Sequence, residues 1–200
     1  MGKIVLASNS PRRKEILEQV GISFEIISSN CDETTNVTDP IELVEEISLR
    51  KAEAVASILD GPAIVIGADT VVAHDGKVLG KPKDEQDAKK MLFGLQNSSH
   101  EVFTGVTVIL KNIKIKNEII AYKKITFADV SKVIVLPMTN NQIDRYIATK
   151  EPMDKAGAYA IQGKFAIYIK EIIGDYYNIV GLPISKLYQT LINEGIELLQ

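Results

Sequence analysis

Leu6-Ala7-Ser8-Asn9-Ser10-Pro11-Arg12-Arg13 closes an apolar run and opens a helix, and the rest of the chain reads outward from it. Residues 4–7 have the character of a buried strand. A short polar loop follows, and Pro11 stands where a helix would start. Ser10 is a suitable N-cap, and proline suits the first helical position because its missing N–H would have had no partner there. Ile16, Leu17 and Val20 give this helix an apolar stripe, and Gly21 can stop it. A strand that feeds a helix N-terminus through small residues forms an anion site, because free N–H groups and the positive end of the helix dipole aim at one place. Arg12 and Arg13 in the first turn oppose that dipole. Alone they read as solvated surface residues. Loop, cap and arginine pair together point to phosphate binding.

The chain has 200 residues, enough for one large domain or two closely packed lobes. Its 46% hydrophobic and 24% charged content place it among soluble globular proteins. A net charge of −3 argues against a nucleic-acid partner but leaves a small anionic ligand open, since local clusters count more than the sum. Cys31 is the sole cysteine, so neither an internal disulfide nor a thiolate zinc cluster can form. With only His74 and His100 besides, any metal would be a hard cation held by carboxylates and phosphate oxygens. The N-terminus lacks a secretory pattern and no apolar run approaches a membrane span, so a cytoplasmic protein without a membrane partner is expected.

Phe24-Glu25-Ile26-Ile27 reads as a second strand, and residues 28–39 as a polar loop holding Asp32 and Glu33. Asp39-Pro40 begins a helix whose Val44, Ile47, Lys51, Ala54 and Ile58 share one stripe. Lys51 lies in the middle of that stripe. Either its ammonium snorkels out along the core, or it points into a polar cleft and meets an anion.

Residues 63–73 form a strongly apolar strand that contains Asp69. A carboxylate is disfavoured in a strand and costly in a core unless paired or metal-bound, which makes Asp69 the best catalytic candidate. Gly67 before it suggests a bulge or a close backbone approach. Asp75-Gly76 marks a hairpin turn that can return Lys81 beside Asp69, although a surface lysine next to Pro82 reads equally simply. Residues 76–81 fail as a P-loop, because the spacing is one short and Pro82 replaces the magnesium-binding hydroxyl.

Asp84 starts a third helix with Ala88, Met91, Leu92 and Leu95 on its apolar face. Strands are expected over 101–110, 113–125 and 127–136, with the lysine alternation at 111–116 as a solvated edge or turn. Thr139 and Gln142 form a capping box for a helix carrying Ile143, Tyr146 and Ile147. The small residues between Asp154 and Gly163 imply tight packing or close ligand approach. Gln162 carries a donor and an acceptor, which suits reading the edge of a base, though a plain turn amide fits as well. A strand is expected over 165–173 and a final amphipathic helix with Leu187, Leu191 and Ile192. The mixture reads as a mixed α/β fold.

Taken in order, several short stretches resemble the Maf family of nucleoside triphosphate pyrophosphatases. They are Ser8-Asn9-Ser10-Pro11-Arg12-Arg13, Asp32-Glu33-Thr34, Arg50-Lys51-Ala52, Gly67-Ala68-Asp69-Thr70-Val71-Val72, Gly80-Lys81-Pro82 and Thr104-Gly105-Val106. Asp154-Lys155-Ala156-Gly157-Ala158-Tyr159, Ile161-Gln162-Gly163 and Val180-Gly181-Leu182-Pro183 complete the series. Asn9 stands where the family commonly has glycine, and Lys164-Phe165 follow Gly163 where a further glycine is usual.

The resemblance implies one Maf-like domain over 1–200, two-lobed, with a long curved mixed sheet and a central cleft, similar to inosine triphosphate pyrophosphatases. It implies hydrolysis of a nucleoside triphosphate, dTTP or UTP in the branch this chain looks like, to the monophosphate and pyrophosphate. Asp69 corresponds to the catalytic carboxylate. Ser8, Arg13, Lys51 and Lys81 would bind the phosphates, and Arg12, Thr70 and Gln162 the base. Glu33 and Asp69 would hold Mg²⁺ or Mn²⁺. A homodimer is compatible with the resemblance. The competing readings are a pyrophosphatase for modified nucleotides and a nucleotide-binding regulator of cell division.

Overall fold

The computed structural model describes residues 2–116 and 118–198. Its strands are β1 (Lys3–Leu6), β2 (Glu25–Ile26), β3 (Ala63–His74), β4 (Lys77–Leu79), β5 (Ser99–Ile115), β6 (Glu118–Val135) and β7 (Ile169–Ile173). The α-helices are α1 (Pro11–Gln19), α2 (Pro40–Ile58), α3 (Glu85–Leu95), α4 (Asn140–Ala148), α5 (Tyr176–Val180) and α6 (Ile184–Asn193). The strands form one mixed sheet in the order β2-β1-β3-β5-β6-β7, with β4 paired to β3. β1 runs parallel to β2 and β3, whereas β4 is antiparallel to β3 and β7 to β6. No helix among the described residues is long and apolar enough to cross a membrane.

The chain divides into two compact units. The first comprises Met1–Asp69, Thr104–Asp129 and Gly181–Gln200; the second comprises Thr70–Phe103 and Val130–Val180. In the first, α2 packs on the sheet. Its Ala52, Val55 and Ala56, with Leu59 just past its end, form a buried cluster with Val5, Ala7, Ala63, Val65 and Ile109. Gly67 and Gly105 let the helix backbone lie against the strands. A Cβ on Gly67 would stand 2.8 Å from Ala52 N, and one on Gly105 would stand 2.8 Å from Glu45 N. The buried hydroxyls of Ser48 and Thr107 and the exposed one of Thr126 are linked in series at 3.0 and 2.9 Å, tying α2 to β5 and β6. The Gly67 expectation of a close approach therefore holds.

In the second unit, Leu92 and Leu95 of α3 and Ile143 of α4 are fully buried. Phe165 is also fully buried and packs on Tyr146 and Tyr159, with ring centroids 5.1 and 4.8 Å apart. The capping box of α4 forms as expected, Thr139 accepting from Gln142 N–H and Gln142 accepting from Thr139 N–H.

Several expectations are corrected. Ser10 occupies the N-cap of α1 but its side chain caps nothing; Ser8 Oγ accepts the Ser10 N–H instead, at 3.2 Å. The second strand contracts to Glu25–Ile26. The segments at 101–136 are two strands, not three, and residues 111–115 lie within β5. Lys111 is not a solvated edge residue. Its ammonium donates to Ala56 O and Leu59 O at 3.0 and 2.6 Å, supplying the cation that the C-terminal end of α2 lacks. Residues 164–168 form a 3₁₀ turn rather than strand, and α5 was not expected at all.

Candidate active site

Two periodicities bring the principal residues of the first unit together. Along β3, side chains alternate, so Asp69 follows Ala63, Val65 and Gly67 on the face toward α2. Along α2, Ser48, Lys51, Ala52, Val55 and Ala56 recur at helical spacing on the face toward the sheet. Lys51 and Asp69 therefore meet, with Lys51 Nζ 2.7 Å from Asp69 Oδ1 and 3.1 Å from Glu33 Oε1. The Lys51 side chain is 10% exposed and that of Asp69 16%. Of the two open readings of Lys51, the polar one is realised, and its anions are carboxylates of the chain itself.

Glu33 has no secondary structure to hold it; α2 does so indirectly. Arg50 donates to Asp32 O at 3.1 Å and to Thr34 O at 2.8 Å, the carbonyls on either side of Glu33. Arg50 also pairs with Glu46, one turn back on α2, and Glu46 accepts from the Thr35 hydroxyl at 2.8 Å. Arg50 was part of a sequence match without a role. Its signal was the i,i+4 pairing with Glu46 beside a loop of unpaired carbonyls.

At the start of α1, Arg13 is buried. Its Nε donates to Gly181 O at 2.8 Å and its Nη1 to Ser8 Oγ at 3.1 Å. Burial lowers its pKa; Asp69 opposes that shift, Arg12 adds to it, and Glu33 opposes it. A guanidinium stays charged nonetheless. Arg12 is half-buried and has no ion pair among the described residues. The Gly181 carbonyl was not anticipated as the acceptor that fixes Arg13; only the side chains were weighed.

Two carboxylate oxygens remain open. Asp69 Oδ2 and Glu33 Oε2 have no hydrogen-bond partner among the described residues, while Oδ1 and Oε1 face the Lys51 ammonium. One oxygen of Asp69 is thereby oriented and the other left available for a proton or a cation. No group of three or more His, Cys, Asp or Glu forms a metal cluster among the described residues. A pair of carboxylates still fits the donor set of Mg²⁺ or Mn²⁺ completed by phosphate oxygens and water.

The remaining candidates belong to the second unit. Thr70 is its first residue, half-buried. Lys81 follows the β3–β4 hairpin, whose register sets Leu79 opposite Val72; it is exposed, with no ion pair among the described residues. Gly80 O accepts from Gly157 N–H at 3.1 Å, and Gly157 abuts Val72, so three of the quoted stretches converge here. Gln162 is exposed, with its amide unengaged among the described residues.

A strand, a polar loop and an arginine-bearing helix thus stand in one unit with a carboxylate–lysine pair. The model of the Maf-like protein family matches residues 3–194, and the chain belongs to that family. It is 52% identical over 200 residues to a dTTP/UTP pyrophosphatase of Lachnoclostridium phytofermentans, covering 100% of this chain and 99% of that one. It is 48% identical over 192 residues to a dTTP/UTP pyrophosphatase of Alkaliphilus metalliredigens, covering 96% and 95%. Among solved structures it is similar to the Staphylococcus aureus Ham1 protein, at 14% identity and a TM-score of 0.49, covering 96% of this chain and 99% of that one.

Proposed function

We propose that the protein hydrolyses nucleoside triphosphates, dTTP and UTP foremost, to the nucleoside monophosphate and pyrophosphate with the aid of Mg²⁺ or Mn²⁺. The observation that carries this reading is Asp69, with one oxygen fixed on Lys51 at 2.7 Å and the other unengaged among the described residues. Family membership supplies the reaction class, and the relatives' names supply the nucleobase.

In this mechanism Asp69 Oδ2 orients a water molecule and takes its proton. The water oxygen bonds to the α-phosphorus, the bond to the α–β bridging oxygen breaks, and pyrophosphate leaves. Lys51 keeps Asp69 aimed. Arg13, held by Gly181 O and Ser8 Oγ, sets its guanidinium charge toward the phosphates. The charges of Arg13, Lys51, Glu33 and Asp69 cancel, so a polyanionic substrate needs additional positive charge. Arg12 and Lys81 can contribute part of it. A divalent cation held by Asp69, Glu33 and phosphate oxygens would supply the rest and polarise the α-phosphate. In this reading Arg12, Thr70 and Gln162 contact the base.

The test is pyrophosphate release from dTTP, UTP, CTP, ATP, GTP and modified triphosphates, with Mg²⁺, with Mn²⁺ and with chelator. Release from dTTP and UTP that requires metal is expected. Preference for a purine nucleotide would overturn the assignment of Arg12, Thr70 and Gln162, and nucleotide binding without release would overturn the enzyme reading.

A further inference from the structure

Gln162 combines a free side chain with a tightly held backbone. The turn at 160–164 is fastened at both ends to one pair of side chains. Tyr146 of α4, 4% exposed, accepts the Ala160 N–H on its hydroxyl at 3.3 Å. The same hydroxyl donates to Glu151 Oε1 at 2.9 Å. Glu151 in turn accepts the Lys164 N–H on both oxygens, at 3.0 and 3.1 Å. Gly163 closes the turn onto Ala160 O at 3.2 Å, and a Cβ at this position would lie 2.8 Å from Glu151 Oε2 and closer still to Oε1. A side chain at 163 would therefore push the Glu151 carboxylate away from the Lys164 N–H. Ile161 and Phe165 anchor the flanks in the core.

We propose that Tyr146 and Glu151 are positioning residues for substrate selection: a phenol–carboxylate latch behind the 160–164 turn that fixes the backbone from which the Gln162 side chain reaches out. The ligand class is a pyrimidine base with carbonyl acceptors beside a ring N–H. The inference rests on the reading of Gln162 as the base contact. The physical requirement is geometric. A neutral amide discriminates bases only when held within about 0.5 Å and 10–20° of its hydrogen-bonding geometry. Glutamine has several rotatable torsions of its own, so a backbone that also moved would add to the freedom the substrate has to freeze.

The experiment compares kcat and KM for dTTP and for GTP in wild type, Gln162→Ala, Glu151→Ala, Glu151→Gln, Tyr146→Phe and the double variant Glu151→Ala/Gln162→Ala. Thermal melts accompany each. Loss of one good hydrogen bond lowers the dTTP-to-GTP ratio of kcat/KM by about 3–10-fold in Gln162→Ala. Glu151→Ala and Tyr146→Phe reproduce most of that loss, chiefly through KM for dTTP. Glu151→Gln, which keeps one acceptor oxygen, falls between. The double variant shows no further change in the ratio beyond Gln162→Ala, because the latch acts through that amide. Tyr146→Phe, which removes only the hydroxyl, carries the test if Glu151→Ala does not fold. A changed ratio in Gln162→Ala with an unchanged ratio in the latch variants overturns the latch. Equal loss toward dTTP and GTP, or full additivity in the double variant, overturns it as well. An unchanged ratio in Gln162→Ala refutes the base-reading assignment itself, and the latch in this role with it.

Discussion

In the first unit the principal candidate charges are engaged with one another: Lys51 with Asp69 and Glu33, and Arg13 with Ser8 and Gly181. In the second, Lys81 and Gln162 are exposed and their polar ends have no partner among the described residues. The contrast follows from what each kind of group must do. A group that moves a proton has to be oriented before the substrate arrives, and a buried charge needs a partner in the meantime. A group that recognises a ligand needs its hydrogen-bonding capacity unused, so its placement has to come from the backbone behind it. Asp69 is held by its own side chain; Gln162 is held by the ends of its turn.

Asp69→Asn puts most strain on this contrast. Turnover is expected to fall by about 10²–10⁴-fold, the usual worth of a positioned general base. Lys51 keeps Glu33, so circular dichroism is expected to stay native; wild-type turnover in the folded variant would remove Asp69 from the mechanism. Lys51→Met comes next. It leaves two carboxylates without their shared cation, and pyrophosphate release is expected to fall by about 10²-fold. Breaking a mostly buried pair costs about 1–3 kcal/mol here, less than for a fully dry one, because Asp69 and especially Glu33 retain some solvent. Denaturant melts check that figure. An unchanged midpoint would show that the pair contributes orientation alone.

The smallest expected effect concerns the second unit's core. His100 is buried beside Tyr159, its Nε2 2.7 Å from the hydroxyl, and its Nδ1 has no partner among the described residues. Burial, and secondarily His74, push its pKa down to about 4 from 6.5. The native imidazole thus stays neutral while the unfolded one protonates, so stability falls as pH drops from 6.5 toward 4. At pH 5.5 the loss is about 1 kcal/mol. His100→Gln should flatten the difference in melting midpoint between pH 7 and pH 5.5; an equally steep dependence would place the titration elsewhere. The first unit's cluster holds no histidine and is not expected to share this behaviour.

The strand–loop–helix opening, the N-cap at Asp39 and the carboxylate in β3 were legible because each breaks a local preference or repeats a short-range pattern. Lys51 was legible as an anomaly but not as a partner, since the sequence holds no record of which β3 side chain faces which turn of α2. The Glu33 loop was readable only as polar, because its support comes from Arg50 donating to backbone carbonyls. Residues 164–168 read as strand because an apolar run of that length suits a strand or a buried turn equally, and the aromatic contacts of Phe165 decide between them. Lys111 was misread because its acceptors, the carbonyls ending α2, are more than fifty residues away in the chain.

The most direct measurement is hydrolysis of dTTP in ¹⁸O-labelled water with Mg²⁺, comparing wild type with Asp69→Asn and locating the label by mass spectrometry. Attack at the α-phosphorus assisted by Asp69 predicts label in the monophosphate, unlabelled pyrophosphate, and almost no product from the variant. Label in pyrophosphate or in inorganic phosphate, or undiminished labelling by Asp69→Asn, would contradict the account.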